Sequence, residues 1–119
     1  EFAAVYEARV RKHRGALTVF AIPNSLPYHR LGLSVPKRVG SAPVRNRVKR
    51  CLRESFRLLQ HELPHHTPGT GDGGGFDFVI AVRPHERQPE SEYRELLRTL
   101  ATQLAGEWAR RDRRSETDR

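Results

Sequence analysis

The 119-residue sequence contains no methionine, one cysteine and one tryptophan, and each shortage excludes something. Cys51 alone cannot build an internal disulfide framework or a multi-cysteine zinc site. That fits a reducing compartment. No apolar run approaches the roughly 18 residues of a membrane span, and the opening Glu1-Phe2 starts no signal peptide. The expected location is the cytoplasm, with no membrane partner. Without a methionine, the start is expected to be processed or truncated. Only 36% of residues are hydrophobic and 30% are charged, so the core must be economical. About a hundred residues can still bury enough apolar surface to fold unaided.

Acid is also short, and most of all in one place. The chain has 22 Lys and Arg against 14 Asp and Glu, a net charge of +8. Between Lys37 and Arg57 lie eight cations and a single acid, Glu54. The rest of the chain is nearly balanced. A local excess of this kind argues for a polyanionic partner, nucleic acid or an acidic membrane surface.

Residues 2 to 9 read as a short helix, with Phe2, Val5 and Tyr6 at helical spacing. Residues 9 to 13 suit a polar edge strand. Residues 16 to 22 (ALTVFAI) are rich in β-branched and aromatic side chains and predict a strand. Residues 31 to 39 alternate Leu31, Leu33 and Val35 with Gly32 and Ser34, a half-buried strand that Pro36 places at an edge or ends. Ser41 is a good N-cap for a helix reaching Leu59 or His61, with Pro43 tolerated in its first turn. Residues 64 to 75 (PHHTPGTGDGGG) predict a flexible loop. Residues 76 to 82 (FDFVIAV) are nearly all apolar, as in a central strand. Ser91 is expected to cap a final helix with Tyr93, Leu96, Leu97, Leu100, Leu104 and Trp108 on one stripe. A polar tail follows from Asp112. The order α-β-β-β-α-β-α predicts an α+β two-layer sandwich, with helices on one face of a small sheet. It spans residues 1 to 111 as one domain.

On the basic helix, steps of about 100° separate two faces. Val44, Val48, Cys51, Leu52, Ser55 and Leu59 form a core stripe. Asn46, Arg50, Arg53 and Arg57 form the opposite row, Lys49 lies beside it, and Arg45 and Arg47 flank the start. Solvated faces usually mix signs, because (i, i+4) ion pairs stabilise a helix by about 0.2–0.5 kcal/mol each. Here Arg45 and Lys49, Lys49 and Arg53, and Arg53 and Arg57 put like charges at that spacing. Cations at the helix start also oppose the dipole. A polyphosphate reverses both penalties. The pattern points to binding.

The block Val44-Arg45-Asn46-Arg47-Val48-Lys49-Arg50-Cys51-Leu52-Arg53-Glu54 resembles the "RNR" motif of the protein subunit of bacterial ribonuclease P. Residues 31 to 40 (LGLSVPKRVG) are similar to the strand leading into that motif, and residues 76 to 84 to a later strand. The resemblance implies a ribonucleoprotein that removes the 5′ leader from precursor tRNA. Its RNA subunit is the catalyst, using Mg²⁺, so no catalytic or metal-binding residue is expected in this chain. It implies that Arg45, Asn46, Arg47, Lys49, Arg50, Arg53 and Arg57 face ribonuclease P RNA. It further implies that Phe2, Tyr6, Phe20, Lys37, Arg38 and Arg83 line a cleft for the single-stranded leader, where base stacking is sequence-tolerant. For Tyr6 and Phe20, ordinary core packing is an equal alternative. The implied fold has a left-handed β-α-β crossover around the basic helix, where pattern alone predicts the right-handed form. The subunit is expected to be monomeric alone.

The family's basic tail before Phe2 is missing, so the native charge is expected above +8. The loop at 64–75 is longer and richer in glycine than usual. His61, His65 and His66 read as exposed side chains at a helix end, Cys51 and Trp108 as packing residues. The glycine run lacks the Gly-Lys-Ser/Thr of a phosphate loop. The competing function is a non-enzymatic basic RNA-binding module of ribosomal or RNA-assembly type. A helix-turn-helix regulator is disfavoured, since no second helix adjoins residues 41–59.

Overall fold

A computed structural model describes residues 10–66 and 74–117, the last six of these by backbone alone. The helix expected over residues 2–9 lies outside the described residues, as does most of the glycine-rich loop. The described elements are β1 (Arg11–Arg14), β2 (Leu17–Pro23), β3 (Arg30–Ser34), a 3-10 turn (Lys37–Val39), α1 (Ala42–Leu59), β4 (Phe76–Val82) and α2 (Glu90–Thr117). α2 begins one residue before the expected cap Ser91, and its backbone stays helical into the segment expected as a polar tail.

The four strands order as β1-β2-β4-β3. β2 is antiparallel to β1 and β4, while β3 and β4 are parallel. A parallel pair needs a crossover, and α1 lies within it. Central β4 is the apolar FDFVIAV run. The strand expected over 31–39 stops at Ser34, and after Pro36 the chain turns into the 3-10 segment. Proline brings no N–H to a ladder, so the sheet ends before it.

Pleating divides the sheet. Leu17, Val19 and Ala21 of β2 join Phe76, Phe78, Ile80 and Val82 of β4 on the inner face. Against them pack Val48, Cys51, Leu52 and Leu59 of α1 and Tyr93, Leu97, Leu100 and Leu104 of α2. Trp108 packs on this core and donates its indole N–H to the Ala21 carbonyl at 3.0 Å. Phe20 and Val79 form a second, smaller cluster on the other face. Val44, expected in the core stripe, is 47% exposed, because the first turn of α1 lies beyond the packed part of the helix.

Two polar anchors fix the sheet's lower end. His29 is buried; its Nδ1 accepts the Phe76 amide at 2.9 Å and its Nε2 lies 3.3 Å from the Leu63 carbonyl. Burial, aided by nearby His65 and opposed by the Leu63 bond, pulls the imidazole below its ordinary value. Asp77 accepts both nitrogens of the Arg30 fork, at 2.7 and 2.6 Å, and the Asn24 amide at 2.9 Å. Burial pushes its carboxyl up, but these bonds outweigh it and hold the group below the usual range. Gly75 is pressed so closely under the Tyr28 carbonyl that a Cβ would overlap it.

Candidate RNA-binding surfaces

α1 carries its cations on a helix whose opposite side is sealed into the core. Asn46, Arg50, Arg53 and Arg57 are all exposed, while Val48, Cys51, Leu52, Ser55 and Leu59 are buried. Among the described residues, Arg50 and Arg53 have no carboxylate within ion-pair distance. Arg57 is different: it holds Glu54 in a two-pronged bond at 2.9 and 2.5 Å. That bond lowers the Glu54 carboxyl and raises the Arg57 guanidinium from their ordinary values.

The flanking arginines are also engaged. Arg45 folds back to donate to the Gly40 carbonyl at 2.8 Å. Arg47 reaches across to the Gln88 carbonyl at 2.9 Å, tying α1 to the connector that precedes α2. Ser41 stands at the N-cap position, but its hydroxyl makes no capping bond. The first turn also contains no acid, so the positive end of the dipole is left uncompensated. The freest polar groups of the motif are Asn46, Arg50 and Arg53, with Lys49 half-buried beside them.

The second basic surface is the outer face of the sheet. Strand register brings Arg11 opposite Phe20, Phe20 opposite Val79, and His13 opposite Thr18. Arg11, His13, Thr18, Arg38, Ala81, Val82 and Arg83 line a shallow hollow of about 310 Å³ there. Arg38 and Arg83, far apart in sequence, both line it. Phe20 is only 7% exposed and packs on Val79, with Ile22 and Ala81 beside them. Lys37 is exposed on the 3-10 turn but does not line the hollow. Phe2 and Tyr6 lie outside the described residues.

Sequence reasoning missed Arg11 and His13. The signal was present in Arg11-Lys12-His13-Arg14, because alternate residues of a strand share a face. Only the pairing with β2 shows that this face is the one bearing Phe20. Among the described residues, no three His, Cys, Asp or Glu side chains gather as a metal-binding group. No described helix is long and apolar enough to cross a membrane.

Comparison with known proteins agrees with this architecture. The model of the family described as Ribonuclease P matches residues 1–105. The chain is 36% identical over 115 residues to the ribonuclease P protein component of Desulfovibrio desulfuricans, covering 89% of this chain and 82% of that one. It is 48% identical over 100 residues to that of Photobacterium profundum, covering 83% and 75% respectively. Among solved structures, ribonuclease P protein from Thermotoga maritima superposes with a TM-score of 0.70 at 28% identity, covering 87% of this chain and 90% of that one. The chain belongs to the ribonuclease P protein family, and as such is a subunit of the ribonucleoprotein endonuclease that processes the 5′ end of tRNA.

Proposed function

We propose that the two basic surfaces divide the work of this subunit: α1 holds the catalytic ribonuclease P RNA, and the outer sheet face receives the 5′ leader of precursor tRNA. The observation that carries this is the Asn46, Arg50 and Arg53 row, exposed on a rigidly packed helix with Arg50 and Arg53 lacking carboxylate partners among the described residues. Unpaired arginines on a fixed scaffold suit phosphate, which the guanidinium fork binds bidentately. The outer face suits a single strand instead. Arg11, Arg38 and Arg83 rim a hollow beside the apolar floor of Phe20 and Val79, a basic track for a single-stranded backbone. Phe20 serves there as floor, with its neighbours carrying the contact. Bond cleavage belongs to the RNA subunit and its Mg²⁺, with this chain positioning both RNAs as a monomer.

Reconstitution with a bacterial ribonuclease P RNA tests the division. Arg50→Ala with Arg53→Ala should weaken binding of that RNA and flatten its log–log salt dependence by about 0.7–0.9 per lost contact. Arg38→Ala with Arg83→Ala should leave that affinity in place and weaken precursor tRNA more than mature tRNA. An unchanged salt slope in the first variant, or equal losses for both tRNAs in the second, refutes the corresponding assignment.

A further inference from the structure

We propose that the hollow between the start of α1 and the residue 83–89 connector is a pocket for one unstacked nucleobase of the RNA partner, which rests on α1 being the RNA-facing helix. The hollow measures about 390 Å³, at the small end of ligand pockets. Pro43 and Val44 of α1 and Val39 of the 3-10 turn supply apolar wall, and His85 supplies a half-buried ring backed by the fully buried Tyr93. Arg47 and Arg87 complete the lining.

Three observations favour a base over other occupants. Val44 is one of few large apolar side chains left exposed among the described residues, at 47%. It sits on the first turn of a cationic helix, where it serves no core, so a flat apolar partner that brings negative charge fits it best. Gly40 lets the 3-10 turn close on Val44 and shape the wall: at φ +157°, a Cβ there would stand 2.8 Å from Val44 Cγ1.

The walls are also fixed in advance. The His85 Nδ1–H donates to the Arg83 carbonyl at 2.8 Å, leaving Nε2 to accept the Tyr93 hydroxyl at 2.6 Å. Arg47 is held by Gln88, so its guanidinium plane is ordered before any partner arrives. Splayed-out bases are recognised on aromatic rings and guanidinium planes of this kind.

The pocket is continuous with the basic row. Arg47 lies one turn before Arg50, and Pro43 one turn before Asn46, spacings that make them neighbours on the helix surface. A strand whose phosphates lie on Arg50 and Arg53 passes the pocket mouth. An apolar peptide would have to bring its own acids to meet Arg47 and Arg87; RNA already has them.

The test uses the whole chain and a bacterial ribonuclease P RNA transcript, scored by affinity and by base-by-base chemical reactivity. Val44→Phe, which fills the hollow from an exposed position, should weaken binding about tenfold, the scale of one lost base stack. It should also restore reactivity at one single-stranded base that the unaltered protein protects. Unchanged affinity and footprint, alongside weakened binding by Arg50→Ala, refutes the pocket and leaves the helix assignment standing. Unchanged binding in both variants refutes both. A second variant does not depend on filling the space: Val44→Cys carrying a short thiol-directed photocrosslinker, Cys51 being buried. Crosslinking to one unpaired base supports the pocket, and crosslinks spread along duplex backbone overturn it.

Discussion

α1 and α2 both bury an apolar stripe in the same core and both carry many arginines, yet they treat those arginines in opposite ways. On α2, Arg94 pairs with Glu90 at 2.8 Å, Arg110 with Glu107 at 2.7 Å, and Arg98 with both Glu95 and Glu62. Most of these pairs fall three or four residues apart, the spacing at which side chains meet on a helix. On α1, among the described residues, only Arg57 has such a partner. Two helices of one fold therefore treat an arginine-rich face in two ways, one neutralised by acids of its own helix and one left open, and the open face is the one proposed to meet RNA. Charge count does not separate them; the distribution of acid does.

The largest expected effect tests what the helices share. Leu52 of α1 and Leu97 of α2 are both fully buried. Leu52→Ala and Leu97→Ala should each lower unfolding stability by about 2–5 kcal/mol, the range for leucine truncation in a packed core. Denaturant titration measures it. A cost for Leu52→Ala far below that for Leu97→Ala would mean that α1 is held less firmly than α2 and that its cations are not pre-positioned.

A smaller effect comes from making α1 resemble α2. Asn46→Glu places an acid four residues before Arg50 and near the positive end of the dipole. Both changes should stabilise the helix, the ion pair by about 0.2–0.5 kcal/mol. The same change should weaken binding of ribonuclease P RNA about tenfold, by occupying Arg50 and repelling phosphate. Thermal melting and RNA titration would then move in opposite directions. A variant that is more stable and binds equally well would remove the argument that the missing acids serve RNA.

Much of this contrast was legible in the sequence, and the reason is periodicity. Steps of 100° alone separated Leu52 from Arg53 and placed Leu97 inward. The apolar run at 76–82 fixed β4 at the centre, where both faces are covered. Periodicity assigns a face but not the end of packing, so Val44 was placed in the core although the helix start projects beyond it. Nor does it show which carbonyl lies within reach of a long side chain. Arg45 and Arg47 have the same residue type as Arg50, but Gly40 and Gln88 lie near them only in the fold. The outer-face hollow was half legible. Of its lining residues, Arg38 and Arg83 are singled out by the family resemblance, whereas Arg11 and His13 need the β1–β2 register.

The smallest effect concerns the one place where α1 behaves like α2. Glu54 binds Arg57 through both carboxylate oxygens, which should hold Arg57 partly out of the row proposed to face RNA. Glu54→Gln removes the charge while keeping the size, so Arg57 is freed and the only acid in the 37–57 segment is gone. The carboxyl is held below its ordinary value by Arg57; the pair's contribution is therefore present above the usual carboxylate range and lost as pH falls through the lowered value. The variant should abolish that pH dependence and melt slightly earlier at neutral pH. Its RNA affinity should rise a few-fold, with a salt slope steeper by up to about 0.7–0.9, the increment of one added phosphate contact. If affinity and slope stay unchanged, Arg57 belongs with the solvated pairs of α2, and the RNA-facing row ends at Arg53.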